Sequence, residues 1–526
     1  MLRLRIMPTS NEITLRLFAR RFRRRGTFYA QLLGVAFLLG ACSDPFEDLP
    51  DGGSPDGAVS DGVQAEGGTE PFGEGAILLR GTVVTPDGVL KSGEVLVNGD
   101  EIVCVAESCA DKSDASTAIV ETGGIIFPGL IDAHNHTEYN YQPVWQNPKL
   151  YDNHGQWQGS SAYSKAISGA HSEMKSPDGT DGKGLCQVAE DCSTGICTDN
   201  KCQNLLCEMI KYGEIRSLIS GTTMISQTVL RKCANTLIRN ADLPYHGLDG
   251  GDSVRTNTLG VYSISNASSL ISAINSGDVG AYVIHVSEGI DEKAREEFDA
   301  LEAQGLLLPQ VVLVHGTALN EADLDKVKAA NMRMVWSPSS NMALYGQTNK
   351  IDEVWQRGIP FALAPDWTPS GAANVLQELR FAKKYSDENL NGLWTAKDLV
   401  AMVTSKAAQV LGFDSQLGSL KVGMKADILV VSGDSEAPYD ALIATTLADV
   451  RLVITRGRAL YGNADLIANI RPNAYCESMT VCESSKLICV KESESDENQL
   501  DQTLTDIENV LNRGYEPGIH TLETCD

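Results

Sequence analysis

An apolar run that ends in two histidines constrains this chain more than any other stretch. The run begins at Ile125, ends in His134-Asn135-His136, and passes directly into the polar segment 137–140. Alternate side chains of a β-strand point to the same side, so His134 and His136 can face one point in space while Asn135 faces away. The pattern predicts a buried strand that carries two metal ligands at its carboxyl end.

Three later apolar runs also end in a residue that can bind a metal ion or transfer a proton. Two of them end in His285 and His315, and Glu288 lies three residues beyond the first of these histidines. The third ends at Asp366. In a barrel of parallel strands the carboxyl ends form the active face, so these side chains would meet at one place.

Several short motifs resemble those of the amidohydrolase superfamily. The stretch Pro128-Gly-Leu-Ile-Asp-x-His-x-His136 resembles the first metal-binding strand of that superfamily, and the pair His285 and Glu288 matches the H-x-x-E of its deaminase-like branch. The segment 337–341 resembles its S-P-x-S-N motif. The resemblance covers about residues 76–465. It implies an α/β fold, a TIM (β/α)8 barrel with a small β-sandwich formed by the flanking N- and C-terminal segments.

The resemblance also implies a role for each of these residues. It implies that one divalent metal ion is held by His134, His136, His285 and Asp366. Asp366 would take the proton of the attacking water, Glu288 would carry a proton to the leaving nitrogen, and His315 would act as a catalytic histidine outside the ligand set. Ser340 and Asn341 either contact substrate or cap their strand, and both alternatives are open.

One metal ion is expected rather than two. The superfamily's other layout uses a carboxylated lysine to bridge two metals, and no lysine stands convincingly at a strand end between His136 and His285. Imidazole nitrogen suits zinc or iron; zinc is favoured, with iron as the alternative. Such an ion lowers the pKa of a bound water from 15.7 towards about 7.

The predicted function is therefore metal-dependent hydrolysis of a carbon–nitrogen bond other than a peptide bond, in a small molecule and by a deaminase-like route. The resemblance is to the cytosine deaminase and chlorohydrolase-like branch. Trp367 follows Asp366 where better-known deaminases have small residues, so the substrate of a known deaminase is not transferred. The alternatives are a cyclic amide or amide hydrolase of the same superfamily, and a non-enzymatic surface-binding lipoprotein that uses the barrel as a scaffold.

The N-terminal segment indicates export. Residues 1–41 hold eight arginines and an apolar stretch of 16 residues from Gly26 to Ala41, which is short for a membrane span. The segment ends in Leu39-Gly-Ala-Cys42, which resembles the lipobox of bacterial lipoproteins. The resemblance implies a signal peptide cleaved before Cys42, lipidation of Cys42, and a bacterial cell-envelope location; Ser43 favours the outer membrane. The alternative is an ordinary secretory signal or membrane anchor.

The net charge of −26 excludes nucleic-acid partners, which require basic surfaces. The expected partners are a small-molecule substrate and the membrane, through the N-terminal lipid anchor. The expected domain order is a signal peptide (1–41), a disordered tether (42–75), a β-sandwich (76–125 and 416–465), the hydrolase barrel (126–415) with a Cys-rich insertion at about 138–207, and a disulfide-stapled tail (466–526) containing one amphipathic helix.

Thirteen cysteines fit an oxidising compartment, and twelve remain after the lipidated Cys42. Cys104 and Cys109 are spaced to close a local loop. Disulfides are favoured over zinc within the insertion, because its cysteines lack the C-x-x-C spacing of structural zinc sites. Cys525 is predicted to be bridged, since a terminal segment is poorly ordered unless tied down. The remaining connectivity is open; the insertion cysteines are Cys186, Cys192, Cys197, Cys202 and Cys207, and those of the tail are Cys476, Cys482, Cys489 and Cys525.

Overall fold

Four β-sheets and the helices between them make up the part of the chain that the structure describes. The computed structural model describes residues 75–175, 197–198, 201–202, 205–227, 237–242, 248, 253–471, 476–491, 502–515 and 517–522. The predicted signal peptide, lipidation site and tether, most of the Cys-rich insertion, and Cys525 lie outside these residues. None of the helices described is long and apolar enough to cross a membrane.

The strands in chain order are β1 (Ala76–Thr85), β2 (Gly88–Asn98), β3 (Glu101–Ala106), β4 (Ala118–Pro128), β5 (Leu130–Asn135), β6 (Cys197–Thr198), β7 (Lys201–Cys202), β8 (Thr222–Gln227), β9 (Arg239–Asn240), β10 (Val254–Asn257), β11 (Ala281–Val286), β12 (Val311–His315), β13 (Arg333–Trp336), β14 (Phe361–Leu363), β15 (Ile428–Val431), β16 (Val450–Thr455), β17 (Arg458–Asn463), β18 (Glu477–Val481) and β19 (Ser484–Ile488).

The α-helices are α1 (His154–Gln158), α2 (Ser161–Tyr163), α3 (Gly169–Lys175), α4 (Leu206–Ile219), α5 (Ala267–Ser276), α6 (Glu292–Ala303), α7 (Glu321–Ala329), α8 (Pro338–Tyr345), α9 (Ile351–Gln356), α10 (Val375–Asn389), α11 (Ala396–Met402), α12 (Ser405–Leu411), α13 (Pro438–Ala444), α14 (Ala464–Ile470) and α15 (Leu504–Gly514). Short 3-10 turns lie at Thr137–Tyr139, Val261–Ser263 and Leu447–Asp449, and a π turn lies at Ser164–Ser168.

A nine-stranded mixed sheet joins the two ends of the folded chain. Its order is β18-β19-β17-β16-β15-β4-β1-β2-β3, with β4 parallel to β1 and antiparallel to β15. Asn98 pairs with Glu101, so a tight turn joins β2 to β3. The N- and C-terminal segments therefore pack together as expected, while their description as a sandwich stays a prediction.

The single strand predicted from Ile125 to His136 is wrong in one respect, because the chain forms two strands there. β4 ends at Pro128 in the nine-stranded sheet, and β5 begins at Leu130 in another sheet. Proline lacks the N–H that would continue a ladder, which favours a break at this point. Gly129 lets the chain cross closely between sheets: a Cβ there would lie 2.2 Å from Thr223 Oγ1.

Eight parallel strands carry the chemical residues. They form one sheet of order β5-β8-β9 and another of order β10-β11-β12-β13-β14, and a parallel bridge from Asn135 to Asp366 joins the first strand to the residue that follows the last. At the other junction Thr256 of β10 donates a hydrogen bond to Asp242, just beyond β9. Helices separate most of these strands in sequence, so the fold is of the α/β class.

The C-terminal tail packs on the body through α15 and the segment after it. The predicted amphipathic helix is confirmed, and Leu504, Ile507 and Leu511 are buried. Beyond it, the carbonyl oxygen of His520 accepts hydrogen bonds from Tyr212 and Arg216 of α4. The tail is therefore part of the folded body.

Disulfides occur where the sequence favoured them. Cys104 is bonded to Cys109, which confirms the local loop, and Cys476 is bonded to Cys489 in the tail. Cys207 of the insertion is also disulfide-bonded, so at this position the disulfide alternative holds over zinc. The predicted bridge at Cys525 stays a prediction, because that residue lies outside the described ranges.

A buried arginine ties the parallel strands to the nine-stranded sheet, and this contact yields a stability prediction. Arg239 of β9 donates from Nε to both carboxylate oxygens of Asp427, at 3.2 and 3.1 Å, and from Nη2 to Asp100 at 2.5 Å. Removing one partner of a buried ion pair leaves an uncompensated charge. We expect Asp427→Ala to lower the free energy of unfolding by about 3–5 kcal/mol in denaturant titrations.

The matched control is Asp111→Ala, which removes an exposed carboxylate. We expect it to change the free energy of unfolding by no more than about 0.5 kcal/mol. A loss at Asp427 as small as that of the control would contradict a stabilising role for the Arg239 contact.

Candidate metal centre

Four groups that can bind a metal converge at the carboxyl ends of the parallel strands. One ligand atom from each of His134, His285, His315 and Asp366 lies within 4.8 Å of the others, and all four residues are buried. His134 lies on β5, His285 on β11 and His315 at the end of β12, while Asp366 follows β14. The topology therefore brings together residues that are up to 232 positions apart in sequence.

His136 lies at the edge of this cluster. Its Nε2 is 3.4 Å from Asp366 Oδ1, whereas His134 Nε2 is 3.0 Å from the same oxygen. The ring centroids of His134 and His136 are 4.9 Å apart, as expected for two side chains that face one point. All four predicted metal ligands are thus close together, with His315 beside them.

The electrostatics of the cluster favour neutral imidazoles at His134 and His285 beside an ionised Asp366, whereas at His136 burial is outweighed by the hydrogen bond to Asp366, which raises the pKa. Burial lowers the pKa of His134 to about 4, and burial with the neighbouring histidines lowers that of His285 well below its ordinary value. Burial alone would raise the pKa of Asp366, but hydrogen bonds with His134 and His136 outweigh it and hold the pKa well below the usual range. A neutral imidazole has a nitrogen lone pair that can bind a metal ion.

The backbone is strained at the same place. Ser287, His315 and Asp366 have φ angles of +57°, +66° and +72°, a left-handed conformation that residues other than glycine seldom adopt. Each such residue costs on the order of 1–3 kcal/mol and persists only where its surroundings fix it. At these strand ends the strain turns the histidine and the aspartate inward. Sequence patterns carry no signal for it.

Ser340 and Asn341 hold other site residues. Ser340 donates a hydrogen bond to Asp366 Oδ2 at 2.7 Å, and its hydroxyl lies 2.8 Å from that of Ser370. Asn341 Oδ1 lies 3.0 Å from His315 Nδ1, where it accepts a hydrogen bond. Both residues are fully buried. Their contact with substrate stays a prediction, and the geometry favours a positioning role.

Further contacts, which the sequence did not reveal, orient two of the histidines. Asn349 donates to the carbonyl oxygen of His315 at 2.9 Å, which helps to fix the strained backbone there. His285 Nδ1 lies 3.4 Å from the carbonyl oxygen of Asn257, leaving Nε2 as the nitrogen available to a metal. Asn257 ends β10 and Asn349 lies between α8 and α9, so only the fold identifies them as partners.

Glu288 lies beside the cluster without belonging to it. The residue is buried, and its Oε1 accepts a hydrogen bond from the Tyr345 hydroxyl at 2.6 Å. Its other oxygen, Oε2, is 3.9 Å from His315 Nε2. A carboxylate in this place can exchange a proton with a group bound at the cluster.

Aromatic side chains from the insertion cover this end of the strands. Trp157, Tyr163 and Tyr139 all have ring centroids within 6.3 Å of Trp367, whose own ring is 5.7 Å from that of His136. This wall surrounds the cluster with apolar surface, which reduces the access of water.

The two other histidines of the insertion take no part in the cluster. His154 Nε2 lies 2.6 Å from Glu297 Oε1, and His171 stacks on Tyr139 with a centroid distance of 3.9 Å.

Another buried carboxyl group lies behind the site and was not found from sequence. Glu378 of α10 accepts hydrogen bonds from the backbone N–H of Ser339, at 3.1 Å, and from the Ser339 hydroxyl. Burial raises the pKa of Glu378 to about 8. Ser339 directly precedes Ser340, so Glu378 supports the segment that holds Asp366.

Comparison with known proteins agrees with this architecture. The model of the Amidohydrolase family matches residues 271–460, which include β11 to β14. The chain is 23% identical over 414 residues to a 5'-deoxyadenosine deaminase of Methanothermobacter thermautotrophicus, covering 74% of this chain and 94% of the relative. It is 25% identical over 402 residues to a 5-methylthioadenosine/S-adenosylhomocysteine deaminase of Thermoanaerobacter pseudethanolicus, covering 72% and 91%.

Solved structures share the fold. The zinc complex of the atrazine chlorohydrolase of Arthrobacter aurescens matches with a TM-score of 0.55 and 19% identity, covering 75% of this chain and 100% of that one. An adenosine deaminase of Xanthomonas campestris with bound zinc matches with a TM-score of 0.55 and 17% identity, covering 76% and 94%.

The strand-end cluster and the α/β fold define a hydrolase whose chemistry is built on the carboxyl ends of parallel strands. In sequence the chain is similar to the Amidohydrolase family over residues 271–460, and it shares its fold with the solved hydrolases. The relatives that it resembles along most of its length are deaminases.

The buried carboxyl group of Glu378 predicts a pH dependence of stability. Its pKa is about 8 in the folded protein against 4.5 for an ordinary glutamate, so the folded state keeps a proton that the unfolded chain releases between these values. Stability from this group therefore falls as pH rises through that window, by about 1.4 kcal/mol per pH unit. Glu378→Gln replaces the carboxyl group that titrates with a neutral amide.

We expect the free energy of unfolding of Glu378→Gln, relative to wild type, to rise steadily between pH 5 and pH 8 in urea titrations. Glu388→Gln, an exposed change on the same helix, serves as the control and should keep a constant difference. If the difference in free energy of unfolding between Glu378→Gln and wild type were also constant across this pH range, the raised pKa of Glu378 would be wrong.

Proposed function

We propose that the protein deaminates an amino-substituted heterocycle of small size, using a single divalent metal ion. The observation that carries the proposal is the arrangement of Glu288 beside, but not within, the cluster of His134, His285 and Asp366. A site that only bound metal would have no use for a buried carboxylate next to it. A deaminase needs such a group, because the leaving nitrogen must gain a proton.

The residues present fit a metal ion. His134 is completely buried, and its Nδ1 has no hydrogen-bond partner among the described residues. The surrounding donors are imidazole nitrogens with one carboxylate, a set that suits zinc and also iron. We propose that His134, His136, His285 and Asp366 hold the ion, with zinc preferred. Support comes from the solved structures of similar fold, two of which contain zinc.

His315 competes with His136 for the fourth place around the ion. By distance alone the tightest group contains His315, whereas His136 lies 3.4 Å from the shared Asp366 oxygen. We favour His136, because it stands two residues after His134 and alternate side chains of an extended chain face the same side. The Nδ1 of His315 is committed to Asn341, and its Nε2 faces Glu288. His315 in this arrangement can donate a hydrogen bond to substrate oxygen.

A bound divalent ion supplies an activated water at neutral pH. Asp366, ionised and held by Ser340, would accept one proton from the attacking water and pass it to Glu288, so that Asp366 returns to its ionised state. Glu288 delivers a proton to the amino nitrogen, while His315 stabilises negative charge on the substrate. Across the reaction one C–N bond breaks, one C–O bond forms, and the amino group leaves as ammonia.

The same proposal includes a closed (β/α)8 barrel and a neighbouring β-sandwich. The eight parallel strands, the bridge from Asn135 to Asp366, and the hydrogen bond from Thr256 to Asp242 support closure at both junctions. The solved structures of similar fold support it further. The nine-stranded sheet would supply the sandwich by folding over itself.

A screen for released ammonia tests the function. The first compounds are 5'-deoxyadenosine, adenosine, guanine, cytosine and amino-triazines, since the similar proteins are deaminases of nucleosides and purines and a triazine hydrolase. Cyclic amides, assayed for acid release, cover the alternative of amide hydrolysis. Purified protein without metal and without turnover on any compound would favour the scaffold alternative.

We also propose that the protein is a lipoprotein of the bacterial cell envelope, anchored by lipid on Cys42 in the outer membrane. The support is the Leu39-Gly-Ala-Cys42 sequence after an apolar stretch. The disulfides Cys104–Cys109 and Cys476–Cys489 agree with an oxidising compartment.

Substitution of Glu288 separates proton transfer from metal binding. Glu288→Gln keeps the shape of the side chain but removes the proton carrier, so we expect turnover to fall by about 10²–10⁴-fold with metal content unchanged. His285→Ala removes a ligand and should lower metal content and activity together. Both are measured by metal analysis and ammonia release on the same preparations.

Glu296→Gln, an exposed change on the following helix, is the control and should leave both measurements at wild-type values. Loss of metal in Glu288→Gln would make Glu288 a ligand, and full turnover would remove it from the mechanism.

Removal of the lipidation site tests the export proposal. Cys42→Ser abolishes the thiol that would carry the lipid, so we expect the protein to be released from the membrane or to keep its signal peptide. Membrane fractionation and the mass of the mature protein measure this. Ser43→Ala leaves Cys42 intact and should fractionate like wild type; identical fractionation of Cys42→Ser would refute the lipid anchor.

A further inference from the structure

A tyrosine from α8 contacts the proposed proton carrier. The Tyr345 hydroxyl donates a hydrogen bond of 2.6 Å to Glu288 Oε1 and accepts one of 2.8 Å from Trp157 Nε1. Glu288, Tyr345 and Trp157 are 5%, 2% and 6% exposed, so water does not compete freely for these bonds. The three side chains form a continuous chain from the insertion to the site.

The insertion also holds the backbone around Glu288. The N–H of His154 donates to the carbonyl oxygen of Glu288 at 3.1 Å, and the N–H of Ile290 donates to Asp152 at 2.7 Å. An antiparallel bridge joins Asn153 to Gly289. The segment 152–157 therefore fixes Glu288 both through its main chain and, by way of Trp157, through its side chain.

We propose that Tyr345 is a positioning residue for Glu288 and is itself held by Trp157 of the insertion. The inference rests on the proposed deaminase function. Because Tyr345 occupies Oε1, the oxygen left to carry the proton is Oε2, which lies 3.9 Å from His315 Nε2 on the side of the metal cluster.

The proton balance of this step is complete without another reactant. Oε2 receives a proton that originates from the attacking water and passes it to the amino nitrogen, which leaves as ammonia. Glu288 returns to its starting state, and the Tyr345 hydroxyl keeps its proton throughout. Its part is to hold the carboxylate in one orientation.

A matched control lies in the same aromatic cluster. Tyr151 is buried like Tyr345, but its hydroxyl has no hydrogen-bond partner among the described residues. Tyr151→Phe therefore removes a buried hydroxyl without touching Glu288. Trp157→Phe removes the Nε1 donor that holds Tyr345 and keeps an aromatic ring beside Trp367.

The experiment compares wild type, Tyr345→Phe, Glu288→Gln and the double variant. Kinetics use whichever of 5'-deoxyadenosine, adenosine, guanine and cytosine releases ammonia fastest with wild type. We expect Tyr345→Phe to lower kcat about tenfold, the order expected for a lost hydrogen bond to a charged group, with KM within about twofold and with unchanged metal content. The double variant should be no slower than Glu288→Gln alone. Trp157→Phe should fall between wild type and Tyr345→Phe, and Tyr151→Phe should match wild type.

If the fold losses of kcat in Tyr345→Phe and Glu288→Gln multiplied in the double variant, Tyr345 would act independently of Glu288. That result would overturn the inference. So would an unchanged kcat in Tyr345→Phe, or an equal loss in Tyr151→Phe. In those cases wild type still releases ammonia and the proposed function stands. If wild type releases no ammonia from any of the four compounds, the amino-triazines take their place in the kinetics; if these release none either, the deaminase function fails, and the role of Tyr345 fails with it.

Discussion

The carboxylate of Asp366 is the contact on which the rest of the site depends. Its Oδ1 lies near His134 and His136, its Oδ2 accepts from Ser340, and its backbone is bridged to Asn135 at the end of the first parallel strand. One buried negative charge thus meets the first and last of the eight strands. Burying it would be costly without these partners, so the hydrogen bonds with His134 and His136 are what keep the carboxylate ionised.

Holding those groups in place requires support from outside the strands. The left-handed backbone at His315 is fixed by Asn349, and the segment before Ser340 is fixed by the buried Glu378. On the opposite side the insertion closes the site with aromatic rings and pairs its backbone with that of Glu288. The insertion therefore contacts the residues of the site directly.

The strand-end residues could be predicted from sequence because each follows a local apolar run. His134, His285 and Asp366 were found in that way, and the structure brings them together. Contacts made by Tyr345 and Glu378 were not predictable, since they join positions 57 and 39 residues apart and leave no periodic pattern. The break of the first run at Pro128 was missed for a related reason: which sheet a strand joins is decided by partners such as β15, far along the chain.

The most direct test of the account is anomalous X-ray diffraction from crystals of the purified protein, measured on both sides of the zinc absorption edge. We predict one anomalous peak per chain, within bonding distance of His134, His136, His285 and Asp366, with Glu288 outside that shell. If the anomalous signal follows the iron absorption edge instead, the bound metal is iron and the assigned ligands stay the same. Two peaks, no peak, or a peak bound by Glu288 would contradict a single-metal site with a separate proton carrier.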